Sequence, residues 1–285
     1  MQAVKIKSYA KINLSLNVTG ILDNLHTLDM VLASIDLADD ILLIFNDGLK
    51  QNVAYSNKNI PVGNDSVSKA LGLFTELYGD FGVDVFVKKN IPIASGLGGS
   101  GANAATVLNY LQKHFNTNFD LVEMAKKIGS DIVYQLTGGF ARVEGVGDKI
   151  TFFKPNPNLK LFAVIAMGNS GVESKDAYSA FDTIYPTKEK LVSDNDELIK
   201  RLTTKSTFDK TDFAFLANAL TKPSIYLNNT IVDTLSSLYD AGSIHAIMSG
   251  SGGACVGFFN SKQETKVAVM GLKAKGLFAK AVSLS

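Results

Sequence analysis

The sequence predicts an α+β architecture in two domains, on three observations. The chain opens with alternation, Ile12, Leu14, Leu16 and Val18 against Lys11, Asn13, Ser15 and Asn17, which is the period of a half-buried strand. It closes with two apolar runs on either side of Ser249-Gly-Ser-Gly-Gly253, then a helical pattern over 261–275 and a strand over 278–284, a β-turn-β-α-β order typical of small α+β sandwiches. Between them, Lys154-Pro-Asn-Pro-Asn158 interrupts all periodicity, as a boundary between domains would. The 285 residues exceed the roughly 100–150 of a common domain, and the predicted division is 1–154 and 159–285.

Taken in order, residues 4–19 read as the first strand, with Lys11 on its polar face, and 21–26 as a turn. Leu28 to Phe45 is rich in Leu, Ile and Val and interrupted at Asp36 and Asp39-Asp40, so it reads as two further strands of a β-meander. Gln51 to Gly63 is polar and turn-prone; Asn64-Asp65-Ser66 then offers N-cap residues to a helix whose stripe is Val67, Leu71, Phe74 and Leu77. A strand over 83–87, a glycine-rich loop and a helix over 102–114 follow, and Asp120 is placed to cap a helix through Lys127. Phe140 to Ile150 reads as a hairpin around Glu144-Gly-Val-Gly-Asp148, and Leu159 to Met167 as an apolar strand. Helices are predicted over 175–184, 188–203, 211–220 and 228–241.

Composition excludes several functions. Lys and Arg number 28 against 27 Asp and Glu, a net charge of +1, so no global field recruits nucleic acid or an anionic membrane. The expected partner is a small molecule, with the protein a monomer or a homodimer. Cys255 is the single cysteine and lies in an apolar run, where a buried structural thiol is the expected reading. The N-terminus lacks the apolar segment of a signal peptide and no window reaches the 18 or so apolar residues of a membrane span, which predicts a soluble, cytoplasmic protein. Neither a metal-hydrolase motif nor a serine-hydrolase elbow occurs, and no metal site made of protein side chains is predicted.

The loop Pro92-Ile-Ala-Ser-Gly-Leu-Gly-Gly-Ser-Gly-Ala102 concentrates four glycines between a strand and a helix. Glycines there let the backbone approach an anion, and the N–H groups opening the helix point at it. A structural turn remains the alternative, since the Gly-Lys-Ser/Thr ending of a P-loop is absent. Asp131, after Gly129-Ser130, is either a helix N-cap or a functional carboxylate. Ser249-Gly-Ser-Gly-Gly253 is a tight turn or a second anion nest. Lys11 and His26, taken alone, read as surface residues. Together, two glycine nests, a carboxylate and a lysine are the components of phosphoryl transfer.

In order along the chain, Tyr9-Ala-Lys-Ile-Asn-Leu14, Asp23-Asn-Leu-His26 with Ile35-Asp-Leu-Ala-Asp39, Ile91-Pro-Ile-Ala-Ser-Gly-Leu-Gly-Gly99 with Asn103-Ala-Ala105, Ile128-Gly-Ser-Asp131, Gly138-Gly139 with Gly145-Val-Gly147, Asn218-Ala-Leu220 and Met248-Ser-Gly-Ser-Gly252 resemble the motifs of the GHMP kinase superfamily. They are most similar to its branch acting on a cytidine-diphosphate-linked methylerythritol. The resemblance implies an N-terminal ribosomal-protein-S5-like domain, a C-terminal ferredoxin-like α/β sandwich and ATP-dependent phosphorylation of an alcohol, with Mg²⁺ carried on ATP. It assigns ATP to Pro92, Ala94, Ser95, Gly96, Leu97, Gly98, Gly99, Ser100, Gly101 and Ala102, with Asn64 and Asp65 beside adenine. Catalysis falls to Asp131 as base and Lys11 as charge partner; Asn13, His26, Tyr178, Ser249, Gly250, Ser251 and Gly252 are assigned to substrate. Two departures stand out. The branch carries Gly-Tyr-His where this chain has Asn24-Leu25-His26, and its loop ends in Gly-Gly-Gly-Ser-Ser where this one ends in Gly98-Gly-Ser-Gly-Ala102. A kinase for another small alcohol, or an idle nucleotide-binding homologue, are the competing readings.

Overall fold

Apolar periodicity builds most of the elements seen in the computed structural model, which describes residues 2–285. The chain begins with β1 (Gln2–Leu22), turns at Asp23 and Asn24, both with positive φ, and returns as β2 (Leu25–Asn46). β3 (Gln51–Tyr55), α1 (Ser66–Tyr78), β4 (Gly82–Lys88), α2 (Gly99–His114), α3 (Leu121–Ile128) and α4 (Ser130–Gln135) follow. Next come β5 (Ala141–Gly145), β6 (Lys149–Phe152), β7 (Phe162–Met167), α5 (Ser174–Ile184), α6 (Asn195–Thr204), α7 (Lys210–Phe213) and β8 (Ala217–Asn218). The chain ends with α8 (Thr221–Leu227), α9 (Thr230–Asp240), β9 (His245–Met248), β10 (Ala254–Phe259), α10 (Lys262–Ala274) and β11 (Phe278–Val282).

Two compact units divide the chain discontinuously. The first holds the start of β1 through Ala10, Leu37–Pro92 and Gly98–Gly138; the second holds Lys11–Asp36, Ile93–Leu97 and Gly139–Ser285. β1 and β2 therefore contribute to both, and so does the glycine-rich loop.

In the first unit the end of β2 pairs antiparallel with β4, Asp40 opposite Lys88 through Asn46 opposite Gly82, and β4 pairs parallel with β3. Its buried side chains include Ile41, Leu43, Val85, Leu71, Phe74, Leu108 and Leu111, the stripes of β2, β4, α1 and α2. Asp65 caps α1 and Asp120 caps α3, each accepting two backbone N–H groups, as Asp at an N-cap does.

In the second unit β5 pairs with β2 and β6, and β8 lies parallel to β1. Four strands form a separate antiparallel sheet in the order β11-β7-β10-β9. Numbered within that sheet this is 4-1-3-2, the order of a ferredoxin-like sandwich. Its core joins Val164, Ala166, Phe181, Leu238, Met248, Cys255, Phe259 and Leu272. Burial pushes the Cys255 thiol up to about 12, so it stays a protonated packing group.

Several elements differ from their sequence reading. Leu28 to Phe45 is one strand, not two, because Asp36 faces out while Asp39 is buried against Lys89 without breaking the ladder. Residues 51–55 form β3, and β3 pairs with β4, so the opening is no simple meander. Residues 188–194 are not helical; α6 begins where Asp194 caps it. The 211–220 stretch is the single turn α7 followed by β8, and α8 was not foreseen. Most telling, the polar face of β1 is not solvated: Asn13, Ser15 and Asn17 are buried.

Candidate active site

The glycine-rich loop begins where β4 ends and finishes as the first turn of α2. Gly98 is the N-cap of α2, with φ 69°, and no side chain caps the helix, whereas α1 and α3 carry an Asp at that position. The opening N–H groups of a helix need acceptors, and a phosphate suits an end whose N-cap residue brings no side-chain acceptor. The backbone there is closely hemmed. A side chain on Gly99 would meet Ile91 Cγ2 at 2.9 Å, and one on Gly101 would lie 3.1 Å from Asp131 Oδ2 and 3.2 Å from Ile132 Cγ1.

That approach places Asp131. The cap of α4 is Gly129, and Asp131 is an exposed residue of the first helical turn whose carboxylate stands against the start of α2. The departure at position 101 thus has a steric meaning: glycine leaves room for the carboxylate. Ser100 Oγ lies 2.6 Å from Ser66 Oγ at the start of α1. Asn64 is exposed. Asp65 accepts from Val67 N and Ser68 N at 3.0 Å, Tyr55 Oη at 2.6 Å and Gly63 N at 3.1 Å. Burial alone would raise its carboxyl, but the Ser68 and Tyr55 donors hold it below the usual carboxylate range.

The other half of the loop, Ile93–Leu97, belongs to the second unit, where it is held by three segments far away in sequence. Lys11 N donates to Leu97 O at 3.0 Å, Val172 N to Ala94 O at 3.2 Å and Ala254 N to Ser95 O at 3.0 Å. Lys11 Nζ donates to Gly96 O at 2.8 Å and to Asn13 Oδ1 at 2.5 Å. Lys11 is therefore no freely solvated lysine: its ammonium is fixed on the loop backbone. Pro92, on the first unit's side of the division, is partly buried.

The Ser249–Gly253 turn packs on this segment. Ser249 Oγ accepts from Asn13 N at 3.2 Å and donates to Gly96 O at 3.4 Å. A side chain on Gly96 would fall 2.1 Å from Ser249 O, and one on Gly250, where φ is 58°, 2.6 Å from Gly96 O. Ser251 Oγ lies 2.9 Å from Ser174 Oγ, Ser224 Oγ donates to Ser251 O at 2.6 Å, and a side chain on Gly252 would meet Met248 Sδ at 2.8 Å. Asn218 ties the turn down, its Nδ2 donating to Met248 O at 2.9 Å and Gly250 O at 2.8 Å. Asn218 stood in a recognised motif, yet the sequence offered no reason for it.

His26 and Tyr178 meet in the second unit. Their rings stack at 4.7 Å with 23° between planes, and the edge of Phe181 is 5.8 Å away. His26 is held rather than exposed, because its Nε2 lies 2.8 Å from Asp182 Oδ1. A carboxylate accepts the hydrogen bond from Nε2–H, and the tautomer with its hydrogen on Nε2 has Nδ1 as an acceptor. Burial acts to raise the Asp182 carboxyl, but its bonds to His26 and Lys188 outweigh this and hold it low. Burial pushes the Tyr178 hydroxyl up, so it remains a neutral ring surface. Asp182 carried no motif and was not foreseen.

Known proteins share both the sequence and the shape. The profile of the GHMP kinases N-terminal domain matches residues 65–142 and that of the C-terminal domain residues 190–275. The 4-diphosphocytidyl-2-C-methyl-D-erythritol kinase of Clostridium tetani is 35% identical over 280 residues, covering 95% of this chain and 96% of that protein. The kinase of the same name from Clostridium perfringens is 34% identical over 284 residues, 95% of this chain and 94% of its own. A crystal structure of 4-(cytidine 5'-diphospho)-2C-methyl-D-erythritol kinase superposes with a TM-score of 0.82 at 24% identity over 99% of both chains. A homoserine kinase from Cytophaga hutchinsonii follows the same fold at TM-score 0.72 and 17% identity, over 99% of this chain and 95% of its own. With its two-domain GHMP kinase fold and this identity along nearly its whole length, the chain belongs to the GHMP kinases, in the family of the 4-diphosphocytidyl-2-C-methyl-D-erythritol kinases.

Proposed function

We propose that the protein transfers the γ-phosphoryl group of ATP to the 2-hydroxyl of 4-diphosphocytidyl-2-C-methyl-D-erythritol, the reaction expected of a kinase in the non-mevalonate isoprenoid pathway. The observation that carries the reading is the approach of Asp131 to the first turn of α2, 3.1 Å from where a side chain on Gly101 would begin. A carboxylate beside a helix start that suits phosphate is where a base for an incoming hydroxyl is useful.

In this reading the backbone from Gly96 to Ala102 cradles the triphosphate, and Mg²⁺ carried with ATP would supply charge neutralisation. Asp131 accepts the proton of the 2-hydroxyl as its oxygen attacks the γ-phosphorus and ADP leaves. Lys11, fixed by Asn13 and the Gly96 carbonyl, supplies positive charge to the transfer. His26 receives the pyrimidine through Nδ1, an acceptor suited to the exocyclic amino group of cytosine, while Tyr178 contributes its ring. Asn64 and Asp65 flank the adenine, Asp65 through the fold of the α1 N-terminus, its oxygens being engaged in the cap. Ser249 to Gly252 serve the substrate side through the loop they support.

Release of ADP with this substrate, and a phosphorus signal for a new phosphomonoester in the product, is the expected result. Turnover confined to alcohols lacking the cytidylyl group would overturn the substrate. Leu25 favours that second reading: it sits 58% exposed at the tip of the β1–β2 hairpin, where an aromatic would add base stacking worth about 1–3 kcal/mol. Asp131→Asn should abolish ADP release while calorimetry finds ATP binding within a few-fold of wild type; unchanged turnover would end the role of Asp131.

A further inference from the structure

Asp39 is fully buried and lies outside every role assigned above. Its two oxygens serve different parts of the first unit. Oδ1 accepts from Asn90 N at 2.7 Å and Ile91 N at 2.8 Å, the two backbone donors that follow β4 and lead into the loop. Oδ2 accepts from Lys89 Nζ and, at 3.1 Å, from Asn103 Nδ2 in the second turn of α2. The Lys89 side chain is only 10% exposed, and its ammonium is 3.2 Å from where a side chain on Gly99 would start. Ile91, held through its N–H, packs its own side chain against the same glycine. One carboxylate thus joins the chain entering the loop to the helix leaving it, and the ammonium it holds abuts the first residue of that helix.

We propose that Asp39 is the positioning residue of the phosphate loop: it fixes the entry at Asn90-Ile91 and the exit at Gly99-Asn103 relative to one another. The inference rests on the reading that this loop holds the phosphates of ATP. Four donors on one buried carboxylate are more than a β-strand requires, and all four belong to residues flanking the loop. The neighbouring Asn90 side chain strengthens the entry, donating to Ala38 O at 2.9 Å and Asp40 Oδ2 at 3.0 Å.

Asp39→Asn separates this role from simple support of the fold. The amide oxygen at Oδ1 still accepts from Asn90 and Ile91, while the amide nitrogen at Oδ2 turns a donor toward the Lys89 ammonium. Steady-state kinetics of the full chain should then give a KM for ATP raised by about ten-fold or more, since misplacing reacting groups by an ångström can cost about a hundred-fold, with the KM for the alcohol within about two-fold. The double variant Asp39→Asn with Lys89→Gln, which puts an acceptor opposite the new donor, should recover most of the loss. Asn103→Ala, which cuts only the tie to α2, should give the same split should Asp39→Asn fail to fold. An unchanged KM for ATP, an equal rise in both KM values, or no recovery in the double variant would overturn the role of Asp39. Wild-type protein that binds no ATP by calorimetry would overturn the reading of the loop itself, a result distinct from any of these.

Discussion

A half-buried carboxylate is defined by the donors it meets, and Asp65 and Asp182 meet different ones. Asp65 is enclosed by Tyr55, Gly63 and the first turn of α1. Its replacement by Ala removes an N-cap, so urea unfolding should report about 1–2 kcal/mol of lost stability, with the KM of the phosphate acceptor unmoved. Asp182 orients His26. Asp182→Ala lets the imidazole rotate and exchange tautomers, and the KM for the cytidylyl substrate should rise about ten-fold with kcat nearly constant, as expected for a lost bond to a charged group. A fall in kcat at unchanged KM would contradict that assignment. Asp131 sits exposed in the first turn of α4 and faces a glycine.

Among the elements, the loop and the Ser249–Gly253 turn are fitted to one another without room for a methyl group. Gly96→Ala would set a Cβ 2.1 Å from Ser249 O, and Gly250→Ala would set one 2.6 Å from Gly96 O at a φ of 58°. Neither contact can be relieved by rotating a side chain, so both variants should lose ATP affinity by at least about ten-fold in calorimetry, and an alanine at Gly271, which meets nothing within 4 Å, should not. Glycine spacing made the loop and the turn visible in the sequence; that they clasp each other was not, because tertiary packing leaves no local period. β1 shows the limit well. Alternation located the strand, but the side chains of Ser15 and Asn17 are covered by partners at Asn195 and Ser193, more than 170 residues away, and that of Asn13 by Lys11 and Met30. Polar side chains that hydrogen-bond each other read the same, residue by residue, as polar side chains facing water. Asp182 escaped for a related reason, and Asp39 stood in a motif without a role: each acts through a partner that only the fold supplies.

For the whole molecule, pH enters through groups on the scaffold. Burial holds His245 below its ordinary 6.5, the bond to Leu216 O opposing this only in part. The unfolded chain therefore binds a proton near 6.5 that the native state refuses until lower pH, so stability is complete above 6.5 and is lost as pH falls toward the folded value. Urea midpoints should decline from pH 7.5 to pH 5.5, and His245→Gln, which can still donate to Leu216, should flatten that decline; an unchanged slope would remove His245 as its source. At lower pH, Asp209, held at about 2 by Thr211 donors, adds a contribution present above the ordinary carboxylate range and lost as pH falls through its folded value. Among the described residues no helix is long and apolar enough to cross a membrane.

The bonds from Val172 to Ala94 and from Ala254 to Ser95 have a consequence in time. A ribosome delivers the loop well before either of its clasps, and the Ser249–Gly253 turn emerges well over a hundred residues after it. A nascent chain paused after α2 carries every glycine of the cradle without the backbone that shapes it. Nucleotide affinity should therefore arise late in synthesis and abruptly, when the β9–β10 hairpin closes.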